Sequence, residues 1–188
     1  MKAILISGEP KWSALIMNGD KTKEIRKNKA LAKAIQKLID EYGYADIYWY
    51  CSKGKPYLHY GYNKYGREVL CHNEKTFGSS PLLNGKVLFK FRCYKVEELS
   101  WQIGLYELDQ QSFSDFLDKS CLGFCELKNY LNKKNGFAIH ISDLKIFDKP
   151  KELCDFFYLK PCFIAGDNTP RKERIHKAPQ NFCYVEID

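Results

Sequence analysis

Residues 2–7 alternate loosely and are rich in Ile and Leu, a pattern that predicts a buried strand. Trp12, Leu15 and Ile16 then recur at helical spacing behind Pro10, which suits a first helical turn, and Gly19 is placed to end that helix in a left-handed conformation. The next stretch, KTKEIRK, holds one apolar residue, Ile25, between Glu24 and Arg26. An extended chain there would turn both charged side chains, and Thr22, to one face.

Asn28 can cap a second helix whose apolar stripe is Leu31, Ile35, Leu38, Ile39 and Tyr42, stopped by Gly43 and lysine-rich on its other face. Residues 45–51 (ADIYWYC) and 86–96 (KVLFKFRCYKV) read as strands. Between them, residues of about 53–83 form a glycine-, tyrosine- and lysine-rich excursion, expected as a hairpin or long loop and followed by a turn at Asn84-Gly85. Ser112 with Asp115 signals a further helix, and Phe124, Leu127 and Leu131 before Gly136 signal another. Residues 137–147 return to strand character. Pro150 is expected to open a short helical turn, the basic stretch GDNTPRKERIHKAPQ to form a mobile loop, and NFCYVEI to supply a last strand.

Strands separated by helices of variable length, without a regular βαβ rhythm, point to an α+β fold and favour a barrel over a doubly wound sheet. The 188 residues fit one domain, 1–188, large enough to bury a core unaided. No repeat or low-complexity linker divides it. The N-terminal apolar stretch is interrupted by Ser7, Glu9, Pro10 and Lys11, too short for a membrane span and without a cleavage site, so a cytoplasmic location is expected. The eight cysteines are widely spaced and read as free thiols. Cys121 and Cys125 lie among apolar residues and are expected in a helical core stripe rather than a zinc site; no metal or other cofactor is predicted.

Lys and Arg number 30 against 23 Asp and Glu, a formal charge of +7 that favours polyanionic partners. The aromatic content concentrates this. In the excursion Tyr57, His59, Tyr60, Tyr62 and Tyr65 alternate with Lys53, Lys55, Lys64 and Arg67, the combination of stacking platforms and phosphate-binding cations that holds single-stranded nucleic acid. Packing of the rings against the body of the protein is the alternative. The later basic run of Arg171, Lys172, Arg174, His176 and Lys177 leads into Gln180 and Asn181, whose amides could read a base edge, although a solvated charge run explains most of it. His140, alone between Ile139 and Ile141, is expected to be structural.

The segment GDKTKEIR carries Gly19, Lys21, Glu24 and Arg26 at the four defining positions of the GxKxxExR signature, and in this it resembles the ASCH family. The motif follows a strand and short helix near the N-terminus, as in that family. YWYCSKGK, NGKVLFKFRCYKVEEL, FAIHISDLKIFDKPKEL and KAPQNFCYVEI extend the similarity to longer phage and bacterial members. The resemblance implies a PUA-like β-barrel with flanking helices and a cleft bordered by the motif, with RNA or a nucleotide-like ligand as partner. One branch of the family removes the acyl group of acetylated cytidine, and others are linked to RNA cleavage. In the deacylating branch a threonine matches Glu24.

From the residues themselves, Lys21 can hold a phosphate or oxyanion, Arg26 can fork onto anionic oxygens, and Glu24, kept ionised by both, can orient a group or take a proton. Lys21, in the turn after Gly19, is expected to swing towards the face of Glu24 and Arg26, so that the three line one solvent-accessible cleft, with Gly19, Gln180 and Asn181 as further ligand contacts. Three functions remain open: an RNA- or nucleotide-binding module; a hydrolase acting on RNA or a modified nucleoside through Lys21 and Glu24; and a protein-interaction module anchored by exposed tyrosines. A monomer is favoured.

Overall fold

The computed structural model describes residues 2–74, 82–102, 105–107, 112–160 and 171–187. The fold is mixed α and β, and two compact units interleave along the chain: one contains Met1–Ala14, Asp46–Lys90 and Lys145–Asp188, the other Leu15–Ala45 and Phe91–Leu144.

In the first unit, β1 (Ala3–Gly8) pairs in parallel with β3 (Ala45–Cys51), matching Leu5 with Tyr48, and antiparallel with β13 (Phe182–Ile187), matching Ala3 with Val185. Parallel neighbours need a long crossover, and residues between β1 and β3 supply it. Every residue of β3 is buried, as a central strand covered on both faces requires. One face joins Leu5, Tyr48, Tyr50, Val87, Phe156, Ile175 and Val185 in a core. On the other, Trp49 stacks on Phe89 with centroids 5.6 Å apart and donates from Nε1 to Ser13 Oγ at 2.8 Å. Ser13 belongs to α1 (Pro10–Met17), where Pro10 stands at the first helical position as its missing N–H allows.

The strand order is β10-β6-β3-β1-β13-β11-β12, with β6 (Val87–Cys93), β10 (Ser142–Lys151), β11 (Phe156–Lys160) and β12 (Arg171–Arg174) completing the sheet. Among the described residues this order is open from β10 to β12, and closure into a barrel is not seen. Two local expectations are corrected. Pro150 lies within β10, and the helical turn begins only at Leu153–Asp155, where Glu152 N–H donates to Asp155. Arg171–Arg174 forms strand β12 on the edge beside β11, with Phe157 opposite Arg174, instead of a loop. Residues 161–170, the start of that expected loop, and 75–81 of the excursion lie outside the described residues.

The excursion is a hairpin of β4 (Tyr57–Tyr62) and β5 (Glu68–Asn73). Asn63 Oδ1 closes its tip by accepting from Tyr65 N–H and Arg67 N–H, with Gly66 at φ 72°. Asn84 fastens its base: Oδ1 accepts from Leu58 N–H at 2.8 Å while Nδ2 donates to the carbonyls of Gly54 and Pro56.

The second unit is built on a sheet ordered β2-β9-β7-β8: β2 (Lys23–Arg26), β9 (Gly136–His140), β7 (Val96–Gln102) and β8 (Leu105–Glu107). Helix α2 (Lys29–Tyr42) is capped at both ends as its sequence predicts; Asn28 accepts from Ala30 and Leu31 N–H, and Gly43 turns left-handed at φ 80°. Helices α3 (Phe113–Ser120) and α4 (Phe124–Leu131) cover the face of the sheet bearing Ile25, Leu99 and Ala138, through Phe116, Leu127 and Leu131. Ser112 makes no side-chain cap, and Asp115 pairs with Lys119 instead. Cys121 ends α3 at φ 53° and Cys125 is exposed on α4, so the two do not form a core stripe.

Candidate ligand site and nucleic-acid interface

The turn out of α1 fixes the first element of the site. Gly19 adopts φ 85°, its N–H donates to Ile16, and the N–H groups of Asp20 and Lys21 both donate to the carbonyl of Leu15. This left-handed stop reverses the chain within two residues and leaves Lys21 ahead of β2, free of strand alternation. Its side chain turns inward. Nζ donates to the carbonyl of Ser120 at 2.6 Å and lies 3.5 Å from Glu24 Oε2, while Arg26 Nε lies 2.9 Å from Glu24 Oε1. The three charged ends converge.

Their accessibility differs from the expectation. Lys21 is 2% exposed and Glu24 5%, and only Arg26 reaches partial exposure. Burial lowers the Lys21 pKa from its ordinary value, and the neighbouring Glu24 carboxylate partly opposes that effect. A buried carboxylate between two cations is the arrangement that keeps all three tolerable away from water.

Alternation along β2 sends Lys23 to the opposite face, where a second charged group forms that the sequence reading did not contain. Glu97 Oε2 accepts from Lys23 Nζ at 2.7 Å and lies 2.7 Å from His140 Nε2; Lys95 Nζ reaches Oε1 at 2.7 Å. Pairing explains the convergence, because Lys23 stands opposite His140, and Glu97 opposite Ala138, two residues from His140 on the same face. Burial alone would raise the Glu97 pKa, but hydrogen bonds from Lys23, Lys95 and His140 prevail and bring it down to about 2. Burial lowers the pKa of His140, with Glu97 opposing and the two lysines adding to the fall. The signal in the sequence was that Lys23 shares its strand face with the apolar Ile25, two residues on.

In the first unit, the hairpin separates its aromatic residues by depth. His59 is buried, Tyr57 half-buried and Tyr60 40% exposed, whereas Tyr62 and Tyr65 are each 74% exposed. Lys53, Lys55, Lys64 and Arg67 are exposed, and Lys64 Nζ stands 4.9 Å from the Tyr65 ring centroid. Tyr65 is therefore presented beside a cation and Tyr62 opposite Glu68, both in water, while the inner part of the hairpin packs. Gln180 and Asn181 also belong to the first unit and are exposed just before β13. Lys177 and His176 are exposed too; Arg174 donates to the Cys154 carbonyl at 2.7 Å and lies over Phe157.

Burial pushes the thiols of buried Cys51 and Cys93 up to about 11 and that of half-buried Cys183 to about 12, which works against nucleophilic use. No protein-family profile, curated protein or solved structure matches this chain.

Proposed function

We propose that the chain is a single-stranded RNA-binding module related to the ASCH family, its sheets a variant of the PUA-like barrel. The observation that carries this reading is the β4–β5 hairpin, whose tip holds Tyr62 and Tyr65 in water with Lys64 and Arg67 in the turn between its strands, while exposed Lys53 and Lys55 flank its base. Large rings cost free energy to leave wet, and bases stacking on them recover it while the cations neutralise phosphates. The GxKxxExR residues then divide their labour. Lys21 and Glu24 act inside the second unit, holding the start of β2, and Arg26 is the member that meets an anionic group.

Fluorescence anisotropy with a labelled, unstructured RNA tests the proposal. Affinity should fall steeply as salt rises, and Lys64→Ala with Arg67→Ala should make that dependence shallower by roughly one to two counterions. Binding that ignores salt, or no binding at low ionic strength, overturns it. Retained binding to a protein partner in the absence of RNA binding would favour the interaction module instead.

A further inference from the structure

The second unit carries a surface group that neither the motif nor the hairpin accounts for. Arg92 lies over the ring of Tyr44, 4.3 Å from its centroid, and Tyr94 stands beside Tyr44 with centroids 6.1 Å apart. Tyr94 donates from its hydroxyl to Asp143 Oδ2 at 2.5 Å, and Arg92 Nη1 lies 3.6 Å from the same oxygen. These groups are wet: Tyr94 is 44% exposed, and the side chains of Arg92 and Asp143 are 40% and 55% exposed. Asp143 itself has φ 47°, a left-handed backbone that Asp and Asn tolerate better than most residues.

We propose that this patch is a binding site for a guanine base of single-stranded RNA, a ligand class that rests on the RNA-binding reading above. The Watson–Crick edge of guanine presents an acceptor, O6, beside two N–H donors, N1–H and N2–H. Arg92 supplies a donor next to Asp143, and an ionised carboxylate offers two oxygens with about four lone-pair positions, so the contact from Tyr94 leaves acceptor capacity. Donor, acceptor, acceptor is the complement of guanine's edge. Uracil places its one N–H between two carbonyls that a carboxylate repels, and adenine and cytosine each offer an amino group next to a ring acceptor. Tyr94 provides the aromatic face on which an unstacked base rests, the usual way a protein reads single-stranded RNA.

The test is amide NMR of the whole chain titrated with guanosine, adenosine, cytidine and uridine 5′-monophosphates. Guanosine monophosphate should shift the amides of Arg92, Tyr94, Asp143 and Leu144 and bind there about tenfold more tightly than the other three. Asp143→Asn keeps a residue that accepts this backbone, so it should fold normally and lose the preference. Equal responses to all four nucleotides, no response at these amides, or a preference that survives Asp143→Asn overturns the site. The Tyr62→Ala/Tyr65→Ala variant separates the two readings, because it should lose RNA binding by the hairpin yet keep the guanosine response. A wild-type chain that binds no oligonucleotide but gives that response would refute the RNA-binding reading and leave the base site standing.

Discussion

Lys21 Nζ reaches 2.6 Å from the carbonyl of Ser120, so the residue just ahead of β2 is tied to the last residue of α3 across ninety-nine positions of sequence. The same ammonium faces Glu24, and both side chains are almost wholly removed from water. Lys21→Met should destabilise the protein by about 3–5 kcal/mol, because Glu24 would stay buried with part of its compensation gone. Lys21→Met with Glu24→Leu should recover much of the loss, since apolar side chains of similar size carry no desolvation cost. Urea unfolding measures both. A loss of only about 1 kcal/mol for the single variant would mean that the pair behaves as if exposed.

The cluster on the opposite face of β2 gives the protein an acid limit in two steps. His140 has a lowered pKa, so just below its ordinary value of 6.5 the unfolded chain binds more protons than the folded one, and stability falls as pH drops through that window. Glu97, ordinarily 4.5, is held at about 2, so its contribution is complete above 4.5 and is lost as pH falls towards 2. Urea midpoints measured from pH 8 to pH 2 should therefore decline twice. His140→Gln should flatten the upper decline, and Glu97→Gln should flatten the lower one while also reducing stability at neutral pH, where Lys23 is left buried without its carboxylate. A midpoint that rises between pH 7 and pH 5 contradicts the assignment.

Gly19 turns at φ 85°, and among the described residues no atom beyond its two chain neighbours lies within 4 Å of where a Cβ would stand. Crowding is thus absent and the backbone alone sets the cost of substitution, about 1–2 kcal/mol for an L residue forced into left-handed space. Gly19→Ala should lose about that much by thermal unfolding, and Gly19→Val more, because branching at Cβ narrows the choice further. Equal stability of wild type and Gly19→Val would show that the turn relaxes into another conformation.

Local signals carried the sequence reading wherever one residue decides the geometry by itself. Gly19 and Gly43 stop helices, Asn28 caps one, and the β-prone run of 45–51, apolar except for Asp46, becomes the strand covered on both faces. The convergence of Lys21, Glu24 and Arg26 was also legible, because it depends on a turn and a short strand adjacent in sequence. Their burial was not, since it comes from α3 and Ser120, far along the chain. The Glu97 cluster was hidden for a related reason: three strands of β2, β9 and β7 must pair in one register before Lys23, His140 and Glu97 meet. Pro150 misled because its fixed φ suits a strand as well as a first helical turn, and here β10 runs through it.

Gly8 meets the opposite condition from Gly19. A Cβ placed there would stand 1.9 Å from Cζ2 of Trp49, whose ring is fully buried, stacked on Phe89 and tied by Nε1 to Ser13. Gly8→Ala should cost at least about 1–3 kcal/mol, the usual range for overpacking, because the indole cannot yield without losing that hydrogen bond. Near-ultraviolet circular dichroism should change with it as Trp49 shifts. An unchanged spectrum with full stability would show that the backbone at the end of β1 moves instead.

The hairpin tyrosines should separate binding from folding. Tyr62 and Tyr65 are each 74% exposed at the tip held by Asn63, so truncating them removes little buried surface, and surface changes of this kind stay within about 0.5 kcal/mol. Loss of a stacking platform, by contrast, costs about 1–3 kcal/mol per base for single-stranded nucleic acid. Tyr62→Ala/Tyr65→Ala should therefore leave the urea midpoint nearly unchanged and weaken RNA binding at least tenfold. Tyr62→Phe/Tyr65→Phe should bind almost as wild type, because the rings are kept and only the hydroxyls are removed. His59 supplies the control: it is buried in the same hairpin, with Nδ1 near the Tyr57 carbonyl and Nε2 near Asn73, so His59→Ala should lower stability and disturb binding only through the hairpin's loss of order. If the phenylalanine pair binds as poorly as the alanine pair, the hydroxyls rather than the ring faces make the contact, and stacking is not the basis of recognition.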